Sequence, residues 1–156
     1  ARRVVVLDCD VHQGDGTAVL LAGRPDVFTL SFHAEKNFPV RKARSSHDVG
    51  MADGLGDADY SEILHRTLLP ILDDFRPEII LYQAGVDPHY DDRLGRLALT
   101  DAGLEARDRL IMREARRRGI ALASVLGGGY GEDHGEVAAR HVRSILALAD
   151  EATTQG

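Results

Sequence analysis

Four apolar runs stand out along the chain, at 4–7, 27–32, 78–83 and 120–126. Each is too short for a buried helix and carries few polar positions, the pattern of a strand covered on both faces in a parallel sheet. Elsewhere the apolar positions shift to helical spacing. Residues 59–75 set Tyr60, Ile63, Leu64, Leu68, Ile71, Leu72 and Phe75 on one stripe. Pro70 falls inside that stripe and is expected to kink or divide the helix. Residues 101–118 read as a helix capped by Thr100 and stopped at Gly119. Residues 134–149 repeat the spacing with Ala138, Val142, Ile145, Leu146 and Ala149, and a short helix fits 15–23, ended by Gly23 and Pro25. Strands alternating with helices build right-handed βαβ units. The expected fold class is α/β, an open parallel sheet with flanking helices. The stretch 33–58 has no clean period, and a loop of that length in a compact domain is usually functional.

Composition narrows the function classes. The 156 residues are 44% hydrophobic and 28% charged, an ordinary globular balance with material for one core. A formal net charge of −6 argues against a nucleic-acid surface. The basic run at 113–118 (REARRR) is broken by Glu114 and reads as a solvated helix face. The single cysteine, Cys9, cannot form an internal disulfide, so a reducing, cytoplasmic setting is expected, with Cys9 as a small core residue and not a nucleophile. No apolar run has the length of a bilayer span and no signal peptide is visible. The chain opens at Ala1 and enters a strand almost at once, as a trimmed chain or part of a longer one would.

Three unusual stretches follow predicted strands: DCDVH (8–12), AGVDPHYDDRLG (84–95) and LGGGYG (126–131). In open α/β sheets, ligands bind beyond the carboxyl ends of the strands. Period two aims Asp8, Asp10 and His12 to one side, and Cys9 to the other. Asp10 and His12 offer oxygen and nitrogen ligands to Zn²⁺, with Asp87 the candidate for the third. One His and two Asp make a hard ligand set, so Fe²⁺, Co²⁺ or Mn²⁺ also suits it. The glycines at 127–129 allow close backbone approach, and Tyr130 offers a phenol to a developing oxyanion. Taken singly, each has a plainer reading: a hydrogen-bonded strand end, a turn carboxylate, a packed aromatic, a simple turn. Their joint placement at strand ends argues for one site.

The stretches DCDVHQGDGTA, AGVDPHYDDRLGRLALT and LGGGY resemble the motifs of zinc-dependent histone deacetylases and their bacterial relatives, which share the arginase/deacetylase fold. Gln13 and SFHAEKNFP (31–39) are similar to a bacterial class IV-like branch. The resemblance implies roles. Asp10, His12 and Asp87 match zinc ligands, and Tyr130 the tyrosine that binds the substrate carbonyl and its oxyanion. Asp8 and Asp15 match carboxylates that orient a pair of active-site histidines. Phe38 matches a wall of the acyl-lysine tunnel, with Gly128 near its rim. The carbonyls of Asp8, His12 and Phe32, the Asp10 carboxylate and the Ser31 hydroxyl match a structural potassium (K⁺) site. The histidine pair itself lies upstream in the family, and this chain has no His-His. Residues 1–156 thus resemble the C-terminal portion of a single deacetylase domain, an incomplete one. The partners implied are the missing N-terminal half and an acyl-lysine protein or small acetylated amine, with no nucleic acid and no membrane.

The function implied is metal-dependent removal of acyl groups from lysine side chains, the chain alone being inactive for want of the base. Alternatives are an acetylpolyamine or other small-amide deacetylase, or a non-catalytic fragment that keeps the metal site. An arginase-like binuclear hydrolase would need further carboxylates, for which only Asp91 and Asp92 stand near.

Overall fold

A computed structural model describes residues 1–154. The chain threads β1 (Val4–Asp8), α1 (Asp15–Leu20), β2 (Val27–Ala34), β3 (His47–Met51), α2 (Asp57–Phe75), β4 (Ile79–Gly85), α3 (Asp101–Arg117), β5 (Ala121–Gly127) and α4 (His134–Thr153). All paired strands are parallel, in the spatial order β3-β2-β1-β4-β5. The strand order therefore reverses at β1: β2 lies on one side of it and β4 on the other. A crevice opens at such a switch point, beyond the carboxyl ends of the two diverging strands.

The period-two pattern decides which side chains form the core. Val5, Leu7, Leu30, Phe32, Ile80 and Tyr82 are fully buried and pack with Leu64, Leu68, Leu72 and Ile111 of α2 and α3. Their neighbours face the other way, and there the cover thins toward β5. Leu81, Val125 and Leu126 are exposed, as are Val142, Ile145 and Leu146 of α4. Cys9 is fully buried, and burial pushes its thiol up to about 12, which fits a core residue. Thr100 caps α3 as its position suggests, its side chain accepting the Gly103 N–H. Gly119 has φ +65 just beyond the helix end. No helix among the described residues is long and apolar enough to cross a membrane.

Several expectations are corrected. The stretch 33–58 is not one long loop, because β3 lies within it and pairs with β2 from Leu30↔His47 to Ala34↔Met51. Only Met51 of its five residues is buried. An edge strand held by backbone pairing leaves little hydrophobic signal. Pro70 does not divide α2, which continues to Phe75. Pro70 and Arg66 are both exposed, so water can serve the carbonyl that a proline leaves unpaired. The helix at 15–23 is shorter, ending at Leu20, and α4 runs on to Thr153. The 113–118 run is not wholly solvated: Glu114 is buried and bonded to Arg118 Nη1 at 2.6 Å.

Candidate metal centre

β1 ends at Asp8, so Asp10 and His12 stand on the turn that follows the strand and not on the strand itself. Carboxylates shape this turn. Asp8 Oδ1 accepts the Asp10 N–H at 3.1 Å, Asp10 Oδ1 accepts the His12 N–H at 2.8 Å, and Asp87 Oδ1 accepts the Val11 N–H at 2.8 Å. The last bond ties the turn after β1 to the turn after β4. Gly85 lets the two approach, since a Cβ there would stand 2.7 Å from the Asp10 Cα. Gly128, at φ +59, lies over the Asp87 carboxyl so closely that any side chain would collide with it.

One ligand atom each from Asp10, His12 and Asp87 lies within 4.8 Å of the others. His12 Nδ1 is 3.0 Å from Asp10 Oδ1 and 3.2 Å from Asp87 Oδ2. A single imidazole N–H cannot serve both carboxylates. Asp87 Oδ2, on a fully buried residue, is left without a hydrogen bond. A buried orphan oxygen is costly unless a cation completes it. Donors held tetrahedrally at about 2.0–2.2 Å from Zn²⁺ lie roughly 3.2–3.6 Å apart, close to the spacing found. The three residues thus fit a divalent metal.

The electrostatics carry the same tension. Burial raises Asp87 to about 6, and the neighbouring Asp10 adds to that rise. Burial also raises Asp8, to about 7, against the Asp10 N–H that lowers it. At Asp10 burial is outweighed by the His12 hydrogen bonds, and its carboxyl sits below the usual range. The hydrogen bond to Asp10 and the Asp87 carboxylate at 3.2 Å lift His12 to about 10. Perturbation of this kind, grouped in a cleft, marks candidate functional sites.

The other expected site residues fall at varied distances from this cluster. Tyr130 stands beside it, its ring edge-on to His12 with centroids 5.9 Å apart and 42% exposed. Burial, with Asp10 and Asp87 close by, pushes its phenol up. Asp15, Phe38 and Tyr130 line one pocket of about 560 Å³ together with Asp10, His12, Gln13, Asn37 and Leu94. Phe38 is 66% exposed at its wall. Gly128 lies against Asp87. Asp8 and Ser31 lie opposite one another in register. Ser31 Oγ bonds His33 Nδ1 at 2.9 Å, and the Asp10 oxygens are bonded by His12 and Gln83. Those side-chain oxygens meet protein partners, and the potassium site stays an expectation from the resemblance. Asp8 and Asp15 orient no histidine pair here, since His12 is the only histidine lining the pocket among the described residues.

Other residues matter that the sequence reading did not single out. Gln83 donates to Asp10 Oδ2 at 3.1 Å, and a polar residue closing a buried strand was the available signal. Asp92 accepts from Leu94, Gly95 and, at 2.6 Å, the Tyr130 N–H. It thereby fixes the backbone that presents the phenol. Asp91 turns to Arg140 instead, so neither Asp91 nor Asp92 supplies a second metal position.

The histone deacetylase domain profile matches residues 1–146. An uncharacterised protein of Picosynechococcus sp. is 45% identical over 141 residues, covering 90% of this chain and 47% of that protein. The histone deacetylase-like amidohydrolase of Pseudomonas aeruginosa is 33% identical over 143 residues, covering 83% of this chain and 37% of that one. The chain thus spans less than half the length of these curated relatives. Among solved structures, the acetylpolyamine aminohydrolase of Burkholderia pseudomallei matches with TM-score 0.78 and 25% identity, covering 97% of this chain and 45% of that one. The sheet is that of the arginase/deacetylase fold. With a family profile matched along nearly its whole length and that fold beneath its site, the chain belongs to the histone deacetylase domain family.

Proposed function

We propose that the chain carries the metal centre and oxyanion donor of an amide hydrolase that removes acyl groups from lysine side chains. The observation that carries this is the convergence of Asp10, His12 and Asp87 at the sheet's switch point. These three would hold a divalent ion, zinc being the first choice by donor spacing. When bound, such an ion polarises an amide carbonyl and acidifies water.

The chain's own residues supply the rest. Tyr130 keeps its proton at neutral pH as any phenol does, and burial pushes it further the same way, so it can donate to the carbonyl oxygen as charge develops there. Asp92 holds the Tyr130 backbone and the His12 ring supports the edge of its phenol. Phe38 and Leu94 give the pocket apolar walls suited to a methylene stem. Asp8 and Asp15 would orient a histidine base supplied from elsewhere in the protein. A second reading, small acetylated amines, draws support from the Asp15 carboxylate in the pocket and from the likeness to the Burkholderia enzyme.

The test is metal per chain by elemental analysis after Zn²⁺ reconstitution and desalting. One equivalent is expected. Two equivalents would favour a binuclear hydrolase, and none in a folded chain would defeat the ligand assignment.

We also propose that these residues form the C-terminal portion of one domain, whose remainder covers β5 and the bare face beside it. The apolar residues exposed there support this. A chain with such an edge is expected to self-associate at micromolar concentration. Sedimentation showing a strict monomer would count against the proposal.

A further inference from the structure

α3 sends one fully buried arginine beneath the metal centre, on the side away from the pocket. Arg107 Nη1 donates to the Gly85 carbonyl at 2.8 Å and to the Cys9 carbonyl at 3.3 Å. Its Nε donates to Asp108 Oδ1 at 2.9 Å, and Tyr82 O–H donates to the same oxygen. Arg107 and Asp108 are both excluded from solvent.

The two carbonyls are special by position. Cys9 precedes Asp10, and Gly85 stands two residues before Asp87. Each peptide plane is held at both ends. The 9–10 peptide gives its oxygen to Arg107 and its N–H to Asp8 Oδ1. The 85–86 peptide gives its oxygen to Arg107 and its N–H to the Gly127 carbonyl at 3.3 Å. One planar guanidinium therefore spans the ends of β1 and β4, the strands that diverge at the switch point.

A buried ion pair is weak evidence for stability, since apolar residues of the same volume often serve as well or better. We propose that Arg107 is a positioning residue for the metal centre: by clamping the Cys9 and Gly85 carbonyls it sets the separation of Asp10 and Asp87, with Asp108 aiming the clamp. This rests on the metal-centre reading above.

The experiment is Co²⁺ binding to the 156-residue chain, read both as affinity by chelator competition and as the visible absorption of the bound ion. Arg107→Lys keeps the charge but loses the rigid guanidinium, in which Nε on Asp108 fixes the place of the one Nη1 that donates to both carbonyls. It is expected to remain folded by circular dichroism, to bind Co²⁺ about 10–100-fold more weakly, as loss of an outer-shell partner does, and to shift the absorption bands. Asp108→Asn should give a smaller change in the same direction. Glu114→Gln is the control. It removes a buried charge from the same helix, roughly 10 Å along its axis from Arg107, and should leave affinity within about twofold and the spectrum unchanged.

A folded wild type that binds no Co²⁺ defeats the metal-centre reading and this inference together. Wild-type binding that Arg107→Lys reproduces in affinity and spectrum defeats this inference alone. So would an equal loss in Glu114→Gln, which would trace the effect to general stability. Failure of both Arg107→Lys and Asp108→Asn to fold would make the pair a core element only, and would also overturn the assignment.

Discussion

Asp87→Ala is expected to lose Zn²⁺ by more than the factor of about 10–100 that an outer-shell substitution costs. Asp87 is fully buried and does two things. Its Oδ2 faces His12 Nδ1 at 3.2 Å, and its Oδ1 holds the Val11 N–H at 2.8 Å. Alanine removes both. Asp87→Asn separates them, since its amide oxygen can still accept from Val11 while its charge and one oxygen are gone. Both variants should fail to retain metal if the carboxylate is a ligand. Thermal melts check this. Excess Zn²⁺ should stabilise the wild type, by about 2.7 kcal/mol at 100 times Kd, and neither variant. Metal-dependent stabilisation that survives in Asp87→Asn would remove Asp87 from the ligand set. The metal-free melts carry a second reading. Burial raises the Asp87 carboxyl to about 6, so its ionised form costs stability when no cation offsets it. Asp87→Asn without metal should therefore melt close to the wild type.

Metal-loaded but alone, the chain is expected to hydrolyse acetyl-lysine peptides and acetylated polyamines about 10²–10⁴-fold more slowly than an intact relative, the contribution typical of a general base. His12 is the only histidine lining the pocket among the described residues, and its Nδ1 lies between two carboxylates. His33 is bonded to Ser31, and His89 is buried 3.4 Å from Asp101. His141 faces the Gly128 carbonyl at 3.2 Å. None of these reaches the pocket. The Pseudomonas amidohydrolase, assayed at equal metal loading, is a suitable reference. Turnover near the reference rate that disappears in Tyr130→Phe would show that the chain has a base of its own, and would defeat the expectation.

Much of the site was legible because its residues announce themselves locally. Asp10, His12, Asp87 and Tyr130 are polar groups placed just after apolar runs, where few roles other than ligand binding suit them. The K⁺ donors and Gly128 came from resemblance alone. The structure sets Gly128 against Asp87 and gives the Ser31 and Asp10 oxygens to protein partners. β3 was missed because a strand with one buried side chain has no period to read. Arg107 was missed for a related reason. On a helix surface pattern an arginine looks solvated, and only the fold brings it onto Tyr82 and the Cys9 and Gly85 carbonyls.

By itself, the sequence determined the α/β class, the four principal strands, the cap of α3 and the identity of the residues able to bind a metal. Those follow from periodicity, turn chemistry and donor type, which are properties of a few neighbouring residues. The tertiary structure alone decided that β4 pairs beside β1 and so brings Asp87 next to Asp10 and His12. It also decided that Asp87 closes the turn after β1, and that one buried guanidinium joins the two strand ends. These depend on contacts between residues 22 to 98 positions apart. Crossover handedness, sheet register and helix packing set such contacts, and no local pattern records them.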